Sequence, residues 1–261
     1  MGRHKKSHAV SGSPASKIGI LVLSFLFCRL FHAGASSAAD CMVLEIKDAI
    51  TPPVASFIME QIDEAVHSGM GAVIICMDTP GGLDTAMRDI IQKEMNASIP
   101  VVVYVSPPGA RAASAGAIIT LASDIAAMAP GTNIGAAHPV GIGTGGDDTK
   151  GEAKTMTEKA TNDAVAYARS IARERGRNEQ WAQDAVIKSI STPARDALKM
   201  KVVDVIASDL NDLLRQIDGR SIQKNNRSFV LRTKDAKTVM VPMGLRYRLL
   251  SALSNPNIAY I

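Results

Sequence analysis

From residue 41 onward, short apolar runs alternate with longer segments whose apolar residues recur every three or four positions. CMVLEIK (41–47) precedes PPVASFIMEQIDEAVHSG (52–69), and GAVIICMD (71–78) precedes GLDTAMRDIIQKEMNAS (82–98). PVVVYV (100–105) precedes a stretch around Ser114 that runs on into AIITLASDIAAM. The short runs are continuous rather than alternating, which suits strands covered on both faces; the longer ones have the period of helices with one buried stripe. This predicts an α/β fold in which strand and helix repeat around a parallel sheet covered by helices. DIAAMAPG (124–131) and KVVDVIAS (201–208) supply two more short strands. TMTEKATNDAVAYARSIARERG (155–176) reads as a long helix with basic residues in its last turn and a stop at Gly176. The Gly-, Lys- and Asp-rich region 141–155 reads as an exposed mobile loop, and the tail from Ser221 as short, polar, exposed β-structure.

The N-terminus follows a different pattern. Arg3, Lys5 and Lys6 are followed by the apolar run IGILVLSFLFCRLF and then by small residues. This is the order of an export signal, with Ser37 and Ala39 suited to cleavage after Ala39; an uncleaved anchor is the alternative. The body is therefore expected outside the cytoplasm, in a periplasmic or other extracytoplasmic space at a membrane. Cys28 does not follow a small residue, so lipid attachment there is not expected, and Cys41 and Cys76 make neither a disulfide framework nor a metal set. Cys76, in AVIICM, reads as a core residue.

With 261 residues, 46% hydrophobic and 21% charged, the chain can bury one core and a small appendage. The expected division is 1–39 for export or anchoring, 40–218 for the main domain, and 219–261 for a β-rich tail and the start of a truncated membrane region. A net charge of +4 invites nucleic acid, but part of the excess lies in MGRHKK and aromatics are only 4%, too few for base-stacking platforms. Nucleic-acid binding is not expected.

Chemistry concentrates in GARAASAG (109–116), where Ser114 sits among tiny residues between strand and helix. A serine there is a helix cap or a nucleophile. DTPGG (78–82) places Gly81 and Gly82 where a strand hands over to a helix, a tight turn or a place for amides to meet an anion. Lys159 and His138 are the candidate bases downstream.

DTPGG, ARAASAG, NIGAAHPV and EKATNDAVAYARSIARERGRN, followed by STPARDALKMKVVDVIA, together resemble the NfeD-type membrane serine proteases of the ClpP/crotonase superfamily. Those are the partners of stomatin-like proteins, and the likeness runs from about Met42 to Leu214. It implies a repeated β-β-α superhelical fold, Ser114 as nucleophile and Lys159 as general base. It also implies an oxyanion hole from the backbone N–H groups of Gly82 and Ala115. On this reading the small residues around Ser114 let a peptide lie against the chain.

A lysine titrates near 10.4, so acting as a base near neutrality takes about 4 kcal/mol of differential desolvation. Met156, Ala160, Val165 and Ala166 could supply an apolar surround; Lys150 and Lys154, in or beside the loop, could not be held in place. His138, 24 positions after Ser114, is the alternative base, with Asp184 or Asp196 orienting its ring. In ALKMKVVD, Lys201 stands where relatives place a glycine, and the chain stops at SALSNPNIAYI, where long relatives continue into membrane helices.

The function expected is ATP-independent serine endopeptidase action on apolar peptide segments near a membrane. A peptide or membrane protein, such as a stomatin-like protein, would be the substrate, the chain a homo-oligomer, and no metal or other cofactor involved. A crotonase-like thioester chemistry and a non-catalytic scaffold for a stomatin-like protein are the competing classes.

Overall fold

The computed structural model describes residues 1–2, 40–139 and 150–254. The expected export segment from residue 3, the loop over 141–149 and the last seven residues lie outside the described residues.

Six strands form one parallel sheet in the order β11-β1-β2-β3-β5-β8. These are β1 (Cys41–Ile46), β2 (Ala72–Met77), β3 (Val101–Val105), β5 (Ile125–Met128), β8 (Val205–Ile206) and β11 (Thr238–Val241). Helices α1 (Pro52–His67) and α2 (Asp84–Asn96) make the first two crossovers. The strands predicted from apolar runs are thus the central ones, and their continuity has the expected cause. Leu44, Ile75, Val103 and Met128 belong to the large core on one face, whereas Val43, Ile74, Val102 and Ala127 face a second, smaller cluster. That second face is covered by α7 (Leu210–Ile217) through Leu213, Leu214 and Ile217. Each is worth roughly 1.5–3 kcal/mol on burial. Cys76 departs from expectation in being only partly buried, on this thinner side.

A three-stranded sheet stands beside the main one: β4 (Arg111–Ala113) pairs in parallel with β6 (Asn133–Gly135), which pairs antiparallel with β7 (Ser191–Pro193). None of these short strands has enough apolar residues to register in the hydrophobic pattern. Helix α3 (Ala115–Ala122) follows β4 and is buried along its whole length. The long helix α4 (Lys150–Glu174) starts inside the region composition assigned to a loop, packs along α5 (Glu179–Ile187) and buries Ala168, Ile171 and Ala172. The short α6 (Ala194–Lys199) ends without glycine, and Lys201 takes the left-handed conformation itself, at φ 58°.

The tail does more than form exposed β-structure. A hairpin, β9 (Ser221–Lys224) with β10 (Arg227–Val230), precedes β11, which closes the edge of the main sheet against β1. Helix α8 (Leu245–Ser254) then docks on α1 through Tyr247 against Phe57. Among the described residues no helix is long and apolar enough to cross a membrane.

The hairpin is anchored by a buried ionic cluster. The Lys224 ammonium donates to the Asp124 carboxylate at 2.6 Å and to the carbonyls of Glu94 and Ile99. The Arg175 guanidinium meets Asp124 at 2.8 Å. Glu94 is fully buried, and its carboxyl oxygens have no hydrogen-bond partner among the described residues. Desolvation pushes its pKa up to about 8, with Lys224 opposing the shift and Asp124 reinforcing it. The folded state therefore holds a proton that the unfolded chain releases near 4.5. This contribution to stability is complete below that pH and is lost as pH rises through about 8. Glu94→Gln is accordingly expected to match the parent in thermal unfolding at pH 5 and to exceed it by several degrees at pH 9. Calorimetric scans at the two pH values check this.

Candidate active site

Ser114 lies at the junction of β4 and α3 with φ 53° and ψ −117°, a backbone conformation that glycine ordinarily supplies. Such a residue costs about 1–3 kcal/mol and persists only when its surroundings hold it. Two hydrogen bonds do so: the Ser114 amide donates to the Gly135 carbonyl at 2.8 Å, and the Ala117 amide donates to the Ser114 carbonyl at 2.9 Å. Although Ser114 occupies the N-cap position of α3, its hydroxyl makes no cap hydrogen bond. The capping explanation for this serine therefore falls, and the half-buried hydroxyl is left for other work.

The glycine pair is built against it. The Thr79 amide donates to the Arg111 carbonyl at 2.8 Å and the Ala113 amide to the Thr79 carbonyl at 3.1 Å, tying the loop 78–82 to β4. The Gly81 amide donates to the Thr79 hydroxyl at 3.2 Å, and that hydroxyl reaches the Gly81 carbonyl at 3.1 Å. Gly81 has φ +122°, and a Cβ there would sit 2.8 Å from the Ser114 Cβ. At Gly82 a Cβ would come within 2.1 Å of the Ile50 carbonyl oxygen. The Ile50 amide donates to the Gly81 carbonyl and the Leu83 amide to the Ile50 carbonyl, a pairing that straddles Gly82. The Gly82 amide itself has no acceptor among the described residues, nor has that of Ala115 at the start of α3. Gly82 is exposed. Two uncommitted amides thus flank the serine, one on each side of the loop pairing.

The small residues around Ser114 have an internal cause that the sequence did not reveal. A Cβ on Gly116 would lie 2.4 Å from the Thr79 methyl, and Ala112 is completely buried under the same loop. Their smallness is already required for β4, α3 and the glycine loop to meet.

The candidate bases are placed differently. The His138 Nδ1 donates to the Val186 carbonyl at 2.9 Å, which fixes the proton on that nitrogen and leaves Nε2 as the acceptor. Neither expected acid orients the ring, which corrects the proposed arrangement. Asp184 is engaged by Gln180 and Lys188, and Asp196 by Lys199, each being recruited by neighbours one turn away on its own helix.

Lys159 lies in the exposed first half of α4, as do Met156 and Ala160, so its own helix does not provide the apolar surround expected of it. Among the described residues, only the second half of α4 reaches the core. Among the described residues Lys159 makes no hydrogen bond to Ser114. A clasp joins α4 to α2. Arg88 donates to Asp84 at 2.8 Å and to Asp163 at 2.5 Å, and its guanidinium lies 4.2 Å over the Tyr167 ring. Farther along, Met95 and Asn96 share a cavity wall with Ile171 and Glu174. Lys159 lies one turn before Asp163 on the same helix face. The clasp residues Arg88, Asp163 and Tyr167 were not singled out from the sequence; the spacing of Asp163 and Tyr167 four and eight residues after Lys159 was the available signal.

A serine in a glycine-like turn on a strand-to-helix junction, beside a glycine loop and on a helix-covered parallel sheet, marks an α/β protein with its candidate site at that junction. Residues 40–224 match the NfeD1b N-terminal domain family, to which the chain belongs. It is 38% identical over 225 residues to the membrane-bound protease PH1510 of Pyrococcus horikoshii, covering 84% of this chain and 49% of that one. It is 28% identical over 221 residues to the membrane protein NfeD1b of Bacillus subtilis, covering 80% of this chain and 47% of that one. The chain spans about half the length of these curated relatives. The solved 1510-N membrane protease, specific for a stomatin homolog from Pyrococcus horikoshii, superposes with a TM-score of 0.71 at 32% identity, covering 84% of this chain and 100% of that one. A lysine-to-alanine mutant of 1510-N in complex with a substrate peptide gives a TM-score of 0.75 at 34% identity, covering 84% of this chain and 99% of that one.

The Thr79–Gly116 contact yields a test of the site's architecture. Gly116→Ala is expected to destabilise the protein by about 1–3 kcal/mol through overpacking. Adding Thr79→Ser, which removes the obstructing methyl and keeps the hydroxyl, should recover most of that loss; denaturant titration of the single and double variants measures both.

Proposed function

We propose that this protein is an ATP-independent serine endopeptidase acting on apolar peptide segments at an extracytoplasmic membrane face, with a stomatin-like protein as its substrate partner. The observation that carries the reading is the uncommitted Ser114 hydroxyl in a glycine-like turn between the free amides of Gly82 and Ala115. The description of 1510-N as a stomatin-specific protease, and the lysine-to-alanine mutant bound to a substrate peptide, support it.

In this mechanism the peptide lies along the exposed Gly82 loop with its scissile carbonyl over Ser114. Lys159, neutral, takes the Ser114 hydroxyl proton as Oγ attacks the carbonyl carbon. The Gly82 and Ala115 amides donate to the oxyanion. The resulting ammonium returns the proton to the leaving amine, and water repeats the cycle on the acyl-enzyme. The desolvation that Lys159 requires comes from the substrate. Leu83 is 42% exposed and Met156 68% exposed, and an apolar substrate segment seated over Lys159 would exclude water from its amine. This favours apolar substrates for a chemical reason as well as a binding one.

Ser114→Ala is expected to abolish peptide cleavage with thermal unfolding unchanged. Lys159→Ala should reduce kcat by about 10²–10⁴, and His138→Ala by less than about tenfold. Activity should rise with pH through a midpoint above that of histidine, near 6.5. Steady-state cleavage of a quenched apolar peptide from pH 5 to 10 reads all of these. Full activity in folded Ser114→Ala would end the reading, whereas an inactive His138→Ala beside a normal Lys159→Ala would transfer the base to His138.

A further inference from the structure

We infer that Arg88 is a positioning residue for the base: it holds the Asp163 carboxylate away from Lys159 and so leaves the amine free to accept a proton. The inference rests on Lys159 acting as the base. Lys159 and Asp163 are four residues apart on one face of α4, the spacing at which a lysine and a carboxylate ordinarily pair. Such a pair would favour the ammonium form and oppose proton abstraction. Yet the Asp163 carboxylate is taken by Arg88 at 2.5 Å, and no ion pair joins it to Lys159 among the described residues.

The surroundings of Arg88 fit this role. Its Nε is bound to Asp84 at 2.8 Å in the first turn of α2, and the Tyr167 ring lies under the guanidinium at 4.2 Å, so the fork is held from three sides. The Asp163 side chain is 69% exposed, and exposed ion pairs add little to stability. Other charges near this end are Glu158 beside Lys159 and Asp84 on α2. On α5, Asp184 is engaged by Lys188 and Gln180, while the His138 ring is fixed on the Val186 carbonyl; α3 carries no titratable side chain. Among the described residues, Asp163 is therefore the carboxylate that shares a helix face with the amine, and Arg88 is the group that occupies it.

The test follows the pH–rate profile of the full chain on an apolar peptide. Arg88→Gln is expected to raise the midpoint by about half a unit to one unit, costing roughly three- to tenfold at pH 7 with little loss at pH 10. Arg88→Gln/Asp163→Asn should restore the parent midpoint, and Arg88→Lys should retain most of it. Asp163→Asn alone should leave the midpoint in place, because the carboxylate it removes is already engaged. A loss in Arg88→Gln that is equal at every pH overturns the inference, as does a double variant shifted like the single one. So does a fall of half a unit or more in Asp163→Asn, a result that needs no folded Arg88 variant. Undiminished activity in Lys159→Ala would instead show that the dyad itself is wrong.

Discussion

The backbone of Ser114 is the constraint on which the site depends. A non-glycine residue at φ 53° and ψ −117° returns energy unless its neighbours fix it, and here every neighbour is committed to doing so. Gly135 supplies the carbonyl that holds the amide, and a Cβ on Gly135 would lie 2.1 Å from the Ile190 carbonyl oxygen, so a side chain there is not tolerated. Gly81 makes room for the serine side chain, and Thr79 ties the glycine loop to β4. The small second sheet exists to make this junction. Its consequence is chemical: the same turn that strains the serine leaves its hydroxyl uncapped and the Ala115 amide free.

The helix that carries Lys159 is held both by packing and by charge. The long helix packs on the core from about Ala164 onward, and Arg88 joins it to α2 through Asp163. The buried cluster of Glu94, Asp124, Arg175 and Lys224 contributes at the other end, fixing the hairpin that leads β11 back to the main sheet.

Much of this was legible in the residues, for identifiable reasons. The central strands announce themselves because both faces are covered, and Gly81, Gly82 and Ser114 because small residues cluster at strand-to-helix junctions. The short strands β4, β6 and β7 were not legible, since three residues carry no period, and β11 looked exposed because it forms the sheet's edge. The small residues of GARAASAG drew attention for a ligand's sake, whereas Gly116 and Ala112 answer to Thr79. The environment of Lys159 was misjudged because helical spacing tells which residues share a face, and not whether anything packs upon it. Arg88 and Asp163 could not be paired from sequence, lying 75 residues apart.

The central claim is that Ser114 and two backbone amides form one preorganised oxyanion site. Reaction with a serine-directed alkyl phosphonate, followed by peptide mapping and a crystal structure of the adduct, tests it most directly. The account predicts a single phosphonyl group on the Ser114 Oγ, with its oxygen accepting hydrogen bonds from the Gly82 and Ala115 amides at about 2.7–3.1 Å. Failure to label the folded protein, or an adduct whose oxygen points away from both amides, would contradict it.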